Sequence, residues 1–329
     1  MKLKRNNDMS LSRIKEAVIG STEIVVVSHE YPDGDSIGSS IALAKALSQM
    51  EKSVKVIING DIPLEYRFLT GIDDIRRPDD VVVNKESIMI FLDCADEKRA
   101  GSQIDAYRKR CRLSINIDHH LGNTNFADIN HVDISASSTG EIVYDLIKLL
   151  DITIDKDIAN ALYITIVTDT GSFRFDNTTA KTFNMAGYLL TMGLDFSAIR
   201  INLWENKNPN SIGLLIDVLS TMKFVCNNKA AYIVATNEVM EKWKAGYGEL
   251  ESFINYPKSI KGIEVAILFK EIGMNEIKVS FRAKADFDVQ AIASYFGGGG
   301  HKKASGCTLN TQLNEGIKKV IEYLHERLI

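Results

Sequence analysis

Four short runs of mostly apolar, β-branched residues constrain the fold of this chain more than any other feature of its sequence. They are EIVVVS (23–28), SVKVII (53–58), SIMIFL (87–92) and LSINI (113–117). Such nearly continuous apolarity is typical of central parallel strands that are covered on both faces. Helical patterns follow the runs, notably SIGSSIALAKALSQM (36–50) and STGEIVYDLIKLL (138–150). Ser36 is a candidate N-cap of the first of these helices, and Gly34 is expected to give the turn room between Asp33 and Asp35. This alternation predicts a doubly wound, mainly parallel α/β domain.

One further segment of this half can be interpreted in two ways. DKDIANALYITIVT (155–168) places Ile158, Leu162 and Ile166 at every fourth position, which favours a helix. Its β-branched residues leave a strand as the alternative.

The second half of the chain has strand signals of its own, so we expect two domains. With 329 residues and 45% hydrophobic composition, the chain can bury two cores. The polar segment ENKNPNS (205–211) contains Pro209 and separates the two halves. We predict a first domain at 1–205, a linker at 206–211 and a smaller α/β domain at 212–329. The second domain has predicted strands near 230–235, 263–269 and 277–283, a glycine loop at 297–301 and a closing helix at 313–328.

Composition limits the partners and the compartment. The net charge of −4 provides no basic field that would hold long nucleic acid. The four cysteines have no CxxC spacing, which argues against a zinc knuckle and fits reduced thiols. The N-terminus has no uninterrupted apolar core for a signal peptide, and no stretch approaches the ~20 apolar residues of a membrane span. We therefore expect a cytoplasmic protein that does not enter membranes.

Acids and histidines follow the ends of three predicted strands. The sequence places His29, Asp33 and Asp35 after the first run, Asp93 after the third, and Asp118, His119 and His120 after the fourth. Asp169, in TDTGSF, follows another predicted buried element. The carboxyl ends of parallel strands share one crevice, so these side chains are expected to lie close together.

The number and type of these residues predict a metal site. Carboxylates that meet in one crevice repel each other unless cations neutralise them. An Asp after a strand is more often a helix cap, and a lone His more often a structural residue. However, six of these residues lie at equivalent ends and favour two ions that share a carboxylate: His29, Asp33, Asp35, Asp93, His119 and Asp169. Imidazole and carboxylate ligands suit Mn²⁺, Mg²⁺ or Fe.

The same residues carry a resemblance to a known family. SHEYPDGDSIGS, FLDCAD, DHHLGNTNFADIN and TDTGSFRFDNTT resemble the four motifs of the DHH phosphoesterase superfamily, which also includes RecJ-type exonucleases and family II inorganic pyrophosphatases. KVSFRAK and FGGGGHKKASGC resemble the DHH-associated C-terminal domain. The first domain would then be catalytic, and the second would hold the substrate.

The resemblance implies a role for each acid and histidine. One Mn²⁺ would be bound by His29, Asp33 and Asp93. The second would be bound by Asp35, Asp93, His119 and Asp169, so that Asp93 bridges the two ions. His120 would face the scissile phosphate, and Asp118 would orient the histidines.

The strand IKVSFRAK and the glycine loop supply the candidate substrate-binding residues. Strand alternation places Ser280 and Arg282 opposite the apolar face, so both are expected to look outward, toward the cleft between the domains. Arg282 can grip phosphate with a bidentate fork, and glycine amides can approach an anion closely. The candidates are Ser280, Arg282, Gly298, Gly299, Gly300 and His301. Ser305 departs from the family, which more often has Ala there.

A short two-domain chain of this kind is similar to the nanoRNase group of the family. Its members degrade very short oligoribonucleotides to mononucleotides and dephosphorylate 3′-phosphoadenosine 5′-phosphate (pAp). We therefore predict a phosphoesterase that uses two divalent ions, Mn²⁺ or alternatively Mg²⁺. The alternatives are hydrolysis of cyclic di-AMP or pApA, and a catalytically silent nucleotide sensor, which would lack a metal ligand. Inorganic pyrophosphatase is less favoured, because the glycine loop resembles the nucleotide-holding form. The sequence does not distinguish a monomer from a homodimer.

Overall fold

The structure is a computed structural model that describes residues 2–244, 247–284 and 287–328. The chain divides into two compact units, Met1–Asn206 and Lys207–Ile329. Cys94, Cys111, Cys226 and Cys307 carry free thiols. In none of the described helices is a stretch both long and apolar enough to cross a membrane.

The first unit contains a six-stranded parallel sheet and seven α-helices among its described residues. Its strands are β1 (Glu23–Val27), β2 (Ser53–Ile57), β3 (Ile75–Arg76), β4 (Ile88–Leu92), β5 (Leu113–Asp118) and β6 (Ile129–Val132). Its helices are α1 (Lys2–Ile19), α2 (Gly34–Gln49), α3 (Ser102–Arg108), α4 (Thr139–Leu149), α5 (Lys156–Asp169), α6 (Ala180–Thr191) and α7 (Phe196–Arg200), and a π-helical turn, Ile201–Glu205, follows α7. The four predicted strands correspond to β1, β2, β4 and β5, and the ambiguous segment is the helix α5.

The sheet order is β3-β2-β1-β4-β5-β6, and every neighbouring pair is parallel. Side chains alternate across the strands: Val26 packs in the core beneath α2, α4 and α5, whereas Val25 packs on the opposite face with Ile104 of α3. Both faces are therefore apolar and covered, which is why the strands read as continuous apolar runs. The predicted doubly wound α/β class is confirmed.

The second unit contains a mixed sheet between two layers of helices. Its strands are β7 (Lys223–Val225), β8 (Ala230–Ala235), β9 (Val265–Gly273), β10 (Glu276–Ala283), β11 (Gly299–His301) and β12 (Ala304–Leu309). Its helices are α8 (Pro209–Ser220), α9 (Asn237–Trp243), α10 (Asn255–Ser259), α11 (Val289–Tyr295) and α12 (Leu313–Leu328). The sheet order is β11-β12-β10-β9-β8-β7, in which only β8 and β9 run parallel.

Two local predictions are corrected by helix starts. The predicted linker 206–211 ends early, because α8 begins at Pro209, where the missing N–H costs nothing, and Asn208 caps the helix. Ser36 is not the N-cap of α2. Asp33 is the N-cap, and Ser36 completes a capping box because its hydroxyl accepts from the backbone N–H of Asp33.

Glycines on α2 allow that helix to lie directly against α5. A Cβ at Gly38 would lie 2.5 Å from the carbonyl oxygen of Ala161 and 2.7 Å from Cγ2 of Thr165. A Cβ at Gly34 would lie 2.4 Å from Oγ1 of Thr168. Gly34 therefore serves this helix contact, and the expectation that it gives room to a turn between two aspartates is wrong.

We expect Gly38→Ala to destabilise the protein although alanine favours helices. The new methyl group overpacks the α2–α5 contact, which typically costs about 1–3 kcal/mol. Gly187→Ala in α6 is the matched control, because no described heavy atom lies within 4 Å of a Cβ there. That control should gain about 0.5–1 kcal/mol from helix propensity. Urea unfolding of the full-length variants measures both changes, and equal stability of Gly38→Ala and the wild type would contradict the packing argument.

Candidate metal centre

The site lies at the carboxyl ends of the central strands of the first unit. Strand β1 pairs with β2 on one side and with β4 on the other, so successive strands are added to one side of β1 first and then to the other. Such a switch point opens a crevice that commonly binds ligands. The segments after β1, β4 and β5 enter it with His29, Asp93 and His119.

The first cluster of potential ligands joins the segments after β1 and β4. Nε2 of His29 lies 3.3 Å from Oδ2 of Asp93 and 3.8 Å from Oδ1 of Asp33. His29 and Asp93 are buried, whereas Asp33 is exposed. Nδ1 of His29 is buried without a hydrogen-bond partner among the described residues. The imidazole is therefore oriented by its contact with the carboxylates.

The second cluster adds α2 and the end of α5. Nε2 of His119 lies 3.7 Å from Oδ2 of Asp35 and 3.5 Å from Oδ2 of Asp169. It also lies 3.7 Å from Oδ1 of Asp93. The two oxygens of Asp93 thus face different clusters, Oδ2 toward His29 and Oδ1 toward His119.

The backbone at Asp93 has an unusual conformation. Its φ of 60° lies in the left-handed region, which is uncommon for a residue with a side chain. Its N–H donates to the carbonyl oxygen of Ile117 at 3.1 Å and so continues the pairing of β4 with β5. The sheet holds this conformation in place and directs the carboxylate between the two clusters.

Electrostatics at the site favour cation binding. Burial, together with the charges of Asp93, Asp169 and Asp33, holds the pKa of Asp35 well above its ordinary value, although the Gly140 N–H opposes this. Burial also raises the pKa of Asp169 to about 6, with Asp93 and Asp33 adding to the shift and His119 opposing it. The ligand atoms of His29, Asp33 and Asp93 lie within 4.8 Å of one another, and so do those of Asp35, His119 and Asp169. Carboxylate and imidazole donors with this excess of negative charge fit divalent ions such as Mn²⁺ or Mg²⁺.

A hydrogen-bonded dyad stands beside the clusters. Nδ1 of His120 lies 2.7 Å from Oδ1 of Asp118, and the side-chain amide of Asn123 donates to the other oxygen of Asp118 at 2.6 Å. The hydrogen bond that His120 donates to Asp118 raises the pKa of His120 against the opposing effect of burial. Burial alone would raise the pKa of Asp118, but the bonds from His120 and Asn123 outweigh it and lower that pKa. With Nδ1 engaged, Nε2 of this partly exposed histidine is the nitrogen left for a ligand.

Sequence reasoning missed several residues that hold the acids. The backbone N–H groups of Thr139 and Gly140 donate to the two oxygens of Asp35 at 2.7 and 2.9 Å. The amide of Asn177 donates to the carbonyl oxygen of Asp169 at 3.2 Å and lies 3.4 Å from its Oδ2. One sequence signal was available: Ser138-x-x-Glu141 is the pattern of a helix start, and a helix start offers free amides.

In the second unit, Ser280 and Arg282 differ in their exposure. Ser280 is 5% exposed and pairs with Leu268 of β9, on the sheet face that α8, α9 and α10 cover, so its predicted outward position is wrong. Arg282 is partly exposed, and its guanidinium lies 3.6 Å from Oε2 of Glu251. Of these two side chains, therefore, a ligand can reach the guanidinium of Arg282 but not the buried hydroxyl of Ser280.

The predicted glycine loop is partly a strand. Gly299, Gly300 and His301 form β11, which pairs with β12 at the edge of the sheet, and all three are exposed. A Cβ at Gly298 would lie 2.1 Å from the carbonyl oxygen of Gly306, and Gly300 has a φ of 137°. These two glycines are required by the packing of β12, so their presence alone does not indicate an anion site.

Comparison with known proteins gives the family. Residues 23–166 match the model of the DHH family, N-terminal domain, and residues 227–326 match the DHHA1 domain. A Thermus thermophilus protein named "Bifunctional oligoribonuclease and PAP phosphatase NrnA" is 31% identical over 321 residues, which cover 97% of this chain and 93% of its own. The chain belongs to the DHH family. A Bacillus subtilis protein of the same name is 29% identical over 87% of this DHH-family chain and 89% of its own.

Solved structures resemble the whole DHH-family chain. An exopolyphosphatase-related protein from Bacteroides fragilis has a TM-score of 0.89 and 29% identity, and the match covers 98% of each chain. RecJ from Thermus thermophilus, solved in complex with Mn²⁺, has a TM-score of 0.53 and 12% identity over 98% of this chain and 55% of its own. The RecJ likeness extends to the fold alone. The resemblance seen in the sequence motifs is confirmed at the level of the family.

The pKa shifts predict how the metal-free protein responds to pH. The folded state keeps the Asp169 proton up to about pH 6, whereas the unfolded chain releases it near the ordinary value of 3.8. The folded state thus binds more protons in this window, and its stability falls as the pH rises through it. The raised pKa of His120 acts in the same direction at higher pH, because its contribution is lost as the folded form deprotonates.

We therefore expect Mn²⁺ to stabilise the DHH-family chain far more at pH 7 than at pH 5. At 100 times its dissociation constant, Mn²⁺ adds about 2.7 kcal/mol, and that constant itself rises as protons compete for the carboxylates. Thermal unfolding with EDTA or Mn²⁺ across this range measures the effect. Asp169→Asn should flatten the pH response without metal, and an equal gain from Mn²⁺ at both pH values would contradict the argument.

Proposed function

We propose that the chain is a phosphoesterase with two divalent ions that degrades short oligoribonucleotides to mononucleotides and removes the 3′-phosphate of pAp. The observation that carries the proposal is the pair of ligand clusters that share Asp93 beside the His120–Asp118 dyad. Relatives that match nearly the full length and are named for these two activities support the choice of substrates. We propose the cytoplasm as its compartment.

In this proposal each cluster holds one ion. His29, Asp33 and Asp93 would hold the first, and Asp35, Asp93, His119 and Asp169 the second, most suitably Mn²⁺ because of the mixed imidazole and carboxylate donors. Two such ions would lower the pKa of a water molecule, so that a nucleophile is available at neutral pH. They would also neutralise charge on a phosphoryl group. Burial of Asp35 and Asp93 keeps bulk water away and strengthens these interactions.

His120 and Asp118 would handle the proton of the leaving group. Asp118 holds Nδ1 of His120, which leaves Nε2 free to donate to the leaving oxygen of the phosphoester. The raised pKa of His120 favours the protonated form that such a donor needs. Asn123 fixes the second oxygen of Asp118, so the carboxylate cannot turn away from the imidazole.

The second unit would bind the nucleotide part of the substrate. Arg282 is the main candidate, because its guanidinium is partly exposed and its ion pair with Glu251 is loose, at 3.6 Å. An anionic substrate would replace Glu251 as the partner of Arg282. The remaining candidates lie in β11, where His301 and Gly299 are exposed at the sheet edge. Ser280, Gly298 and Gly300 would help to shape this part of the second unit.

A substrate panel tests the proposal. Purified protein with Mn²⁺ or Mg²⁺ is assayed against pAp, labelled RNA of two to five nucleotides, pApA, cyclic di-AMP and pyrophosphate. We expect turnover of pAp and short RNA, and a loss of at least about 100-fold in kcat for His120→Ala, the range of general acid catalysis. Asp93→Ala should abolish activity, because both clusters lose a shared ligand.

The panel also distinguishes the competing functions. Rapid turnover of cyclic di-AMP without turnover of pAp would replace the proposed substrates. Tight binding of nucleotides without any turnover would indicate a sensor, a result that the full set of six potential ligands argues against. Activity that survives Asp93→Ala would exclude the two-ion mechanism.

We expect opposite effects from Arg282 and its neighbour Glu251. Arg282→Ala removes a charge-assisted hydrogen bond of about 1.5–3 kcal/mol, so KM for pAp should rise by about tenfold or more while kcat changes little. Glu251→Gln removes the competing carboxylate and should lower KM. Lys223→Ala is the charge-matched control, because Lys223 lies exposed on the edge strand β7, which β9 and β8 separate from β10. A KM for Arg282→Ala equal to that of the control would exclude Arg282 from the substrate site.

A further inference from the structure

The beginning of helix α4 contacts two of the carboxylates at the proposed metal centre. The N–H groups of Thr139 and Gly140 bind both oxygens of Asp35, and Oγ1 of Thr139 donates to Oδ1 of Asp93 at 3.1 Å. Thr139 is completely buried, and Asp93 is 2% exposed, so bulk water does not compete for this bond. One residue outside the predicted ligand set therefore holds acids from two different segments.

The bond to Asp93 matters because of how that carboxylate is shared. Its backbone is fixed by the left-handed φ of 60° and by the N–H bond to Ile117. Only the side-chain torsions remain free to turn. A rotation of the carboxylate would remove Oδ1 from His119 or Oδ2 from His29, and the two clusters would lose their common member.

We propose that Thr139 is a positioning residue that fixes the rotation of the Asp93 carboxylate, so that one oxygen faces each ligand cluster and Asp93 could contribute to both ion sites. This inference rests on the proposed function and deepens it. Thr139 touches no substrate and is not itself a ligand. Its hydroxyl acts through Asp93, as hydrogen-bonding partners of metal ligands commonly do.

The inference predicts a specific loss in Thr139→Val. Valine keeps the branched shape and the backbone N–H bond to Asp35 but removes the hydroxyl. Loss of such a partner typically weakens metal binding by about 10–100-fold. We expect a loss of this size in Mn²⁺ affinity and in kcat, with KM for pAp within about twofold of the wild type. Thr139→Ser retains the hydroxyl and should restore both values to within about threefold.

Thr165→Val is the matched control. Thr165 is also completely buried, and its hydroxyl accepts from Oγ of Ser138, the N-cap of α4, at 3.3 Å. That hydroxyl donates to the carbonyl oxygen of Leu162 at 2.7 Å and to no carboxylate, so the variant perturbs the same helix start without touching Asp93. The same substitution there should leave Mn²⁺ affinity within about twofold. Mn²⁺ titrations of metal-free protein, followed by the electron paramagnetic resonance signal of unbound Mn²⁺, give affinity and stoichiometry without reference to activity.

The outcomes separate this inference from the proposed function. A wild type that binds two Mn²⁺ together with a Thr139→Val variant that binds them equally well would overturn the role of Thr139 and leave the metal centre intact. Equal losses in Thr139→Val and Thr165→Val would assign the effect to packing and also overturn it. If the wild type binds no Mn²⁺, the proposed function itself is excluded. If Thr139→Val does not fold, the contrast between Thr139→Ser and Thr139→Ala isolates the same hydroxyl.

Discussion

Repulsion among carboxylates crowded into one crevice is the constraint on which the rest of this site depends. Asp33, Asp35, Asp93 and Asp169 meet around two histidines, and burial would make their charges costly in the absence of compensating groups. The chain meets part of this cost with its own dipoles. The first amides of α4 bind Asp35, and Asp33 caps α2. The pKa values of Asp35 and Asp169 are raised because these dipoles do not offset burial and the negative charge, and divalent ions would provide the missing positive charge.

The packing of α2 against α5 brings two of these acids together. Gly34 allows the start of α2 to touch Thr168 near the end of α5. Asp35 is the second residue of α2, and Asp169 is the last residue of α5, so this contact sets both beside His119. A side chain at Gly34 or Gly38 would separate the helices and with them the two carboxylates. The glycines of this segment thus affect the metal centre through helix packing.

Much of this organisation could be predicted, and the errors have physical causes. Apolar strands covered on both faces leave a strong pattern, so β1, β2, β4 and β5 were found, whereas the edge strands β3 and β6 are too short to show one. Ser36 is a suitable cap by residue type, but Asp33 combines the capping role with its place among the potential ligands, and the sequence alone does not show that one side chain serves both. Ser280 was expected to look outward because alternation gives the two faces of a strand but does not tell which of them helices will cover. The glycines at 299 and 300 resemble a loop in the sequence although they form part of the edge strand β11.

The sequence by itself determined which residue types stand at the ends of the central strands, and so the chemistry of a site with carboxylates and imidazoles. Strand and helix periodicity are local properties, and four motifs can be read without knowledge of contacts. Only the tertiary structure decided that Asp93 turns one oxygen to each cluster and that Thr139 and Asn123 hold the acids in place. Thr139 and Asp35 are 104 positions apart, and their hydrogen bond exists only because the strand order and the close packing of α2 and α5 bring α4 to the same crevice. A hydrogen bond between residues so far apart in the sequence forms only when donor and acceptor meet at a suitable distance and angle, and no local pattern encodes that geometry.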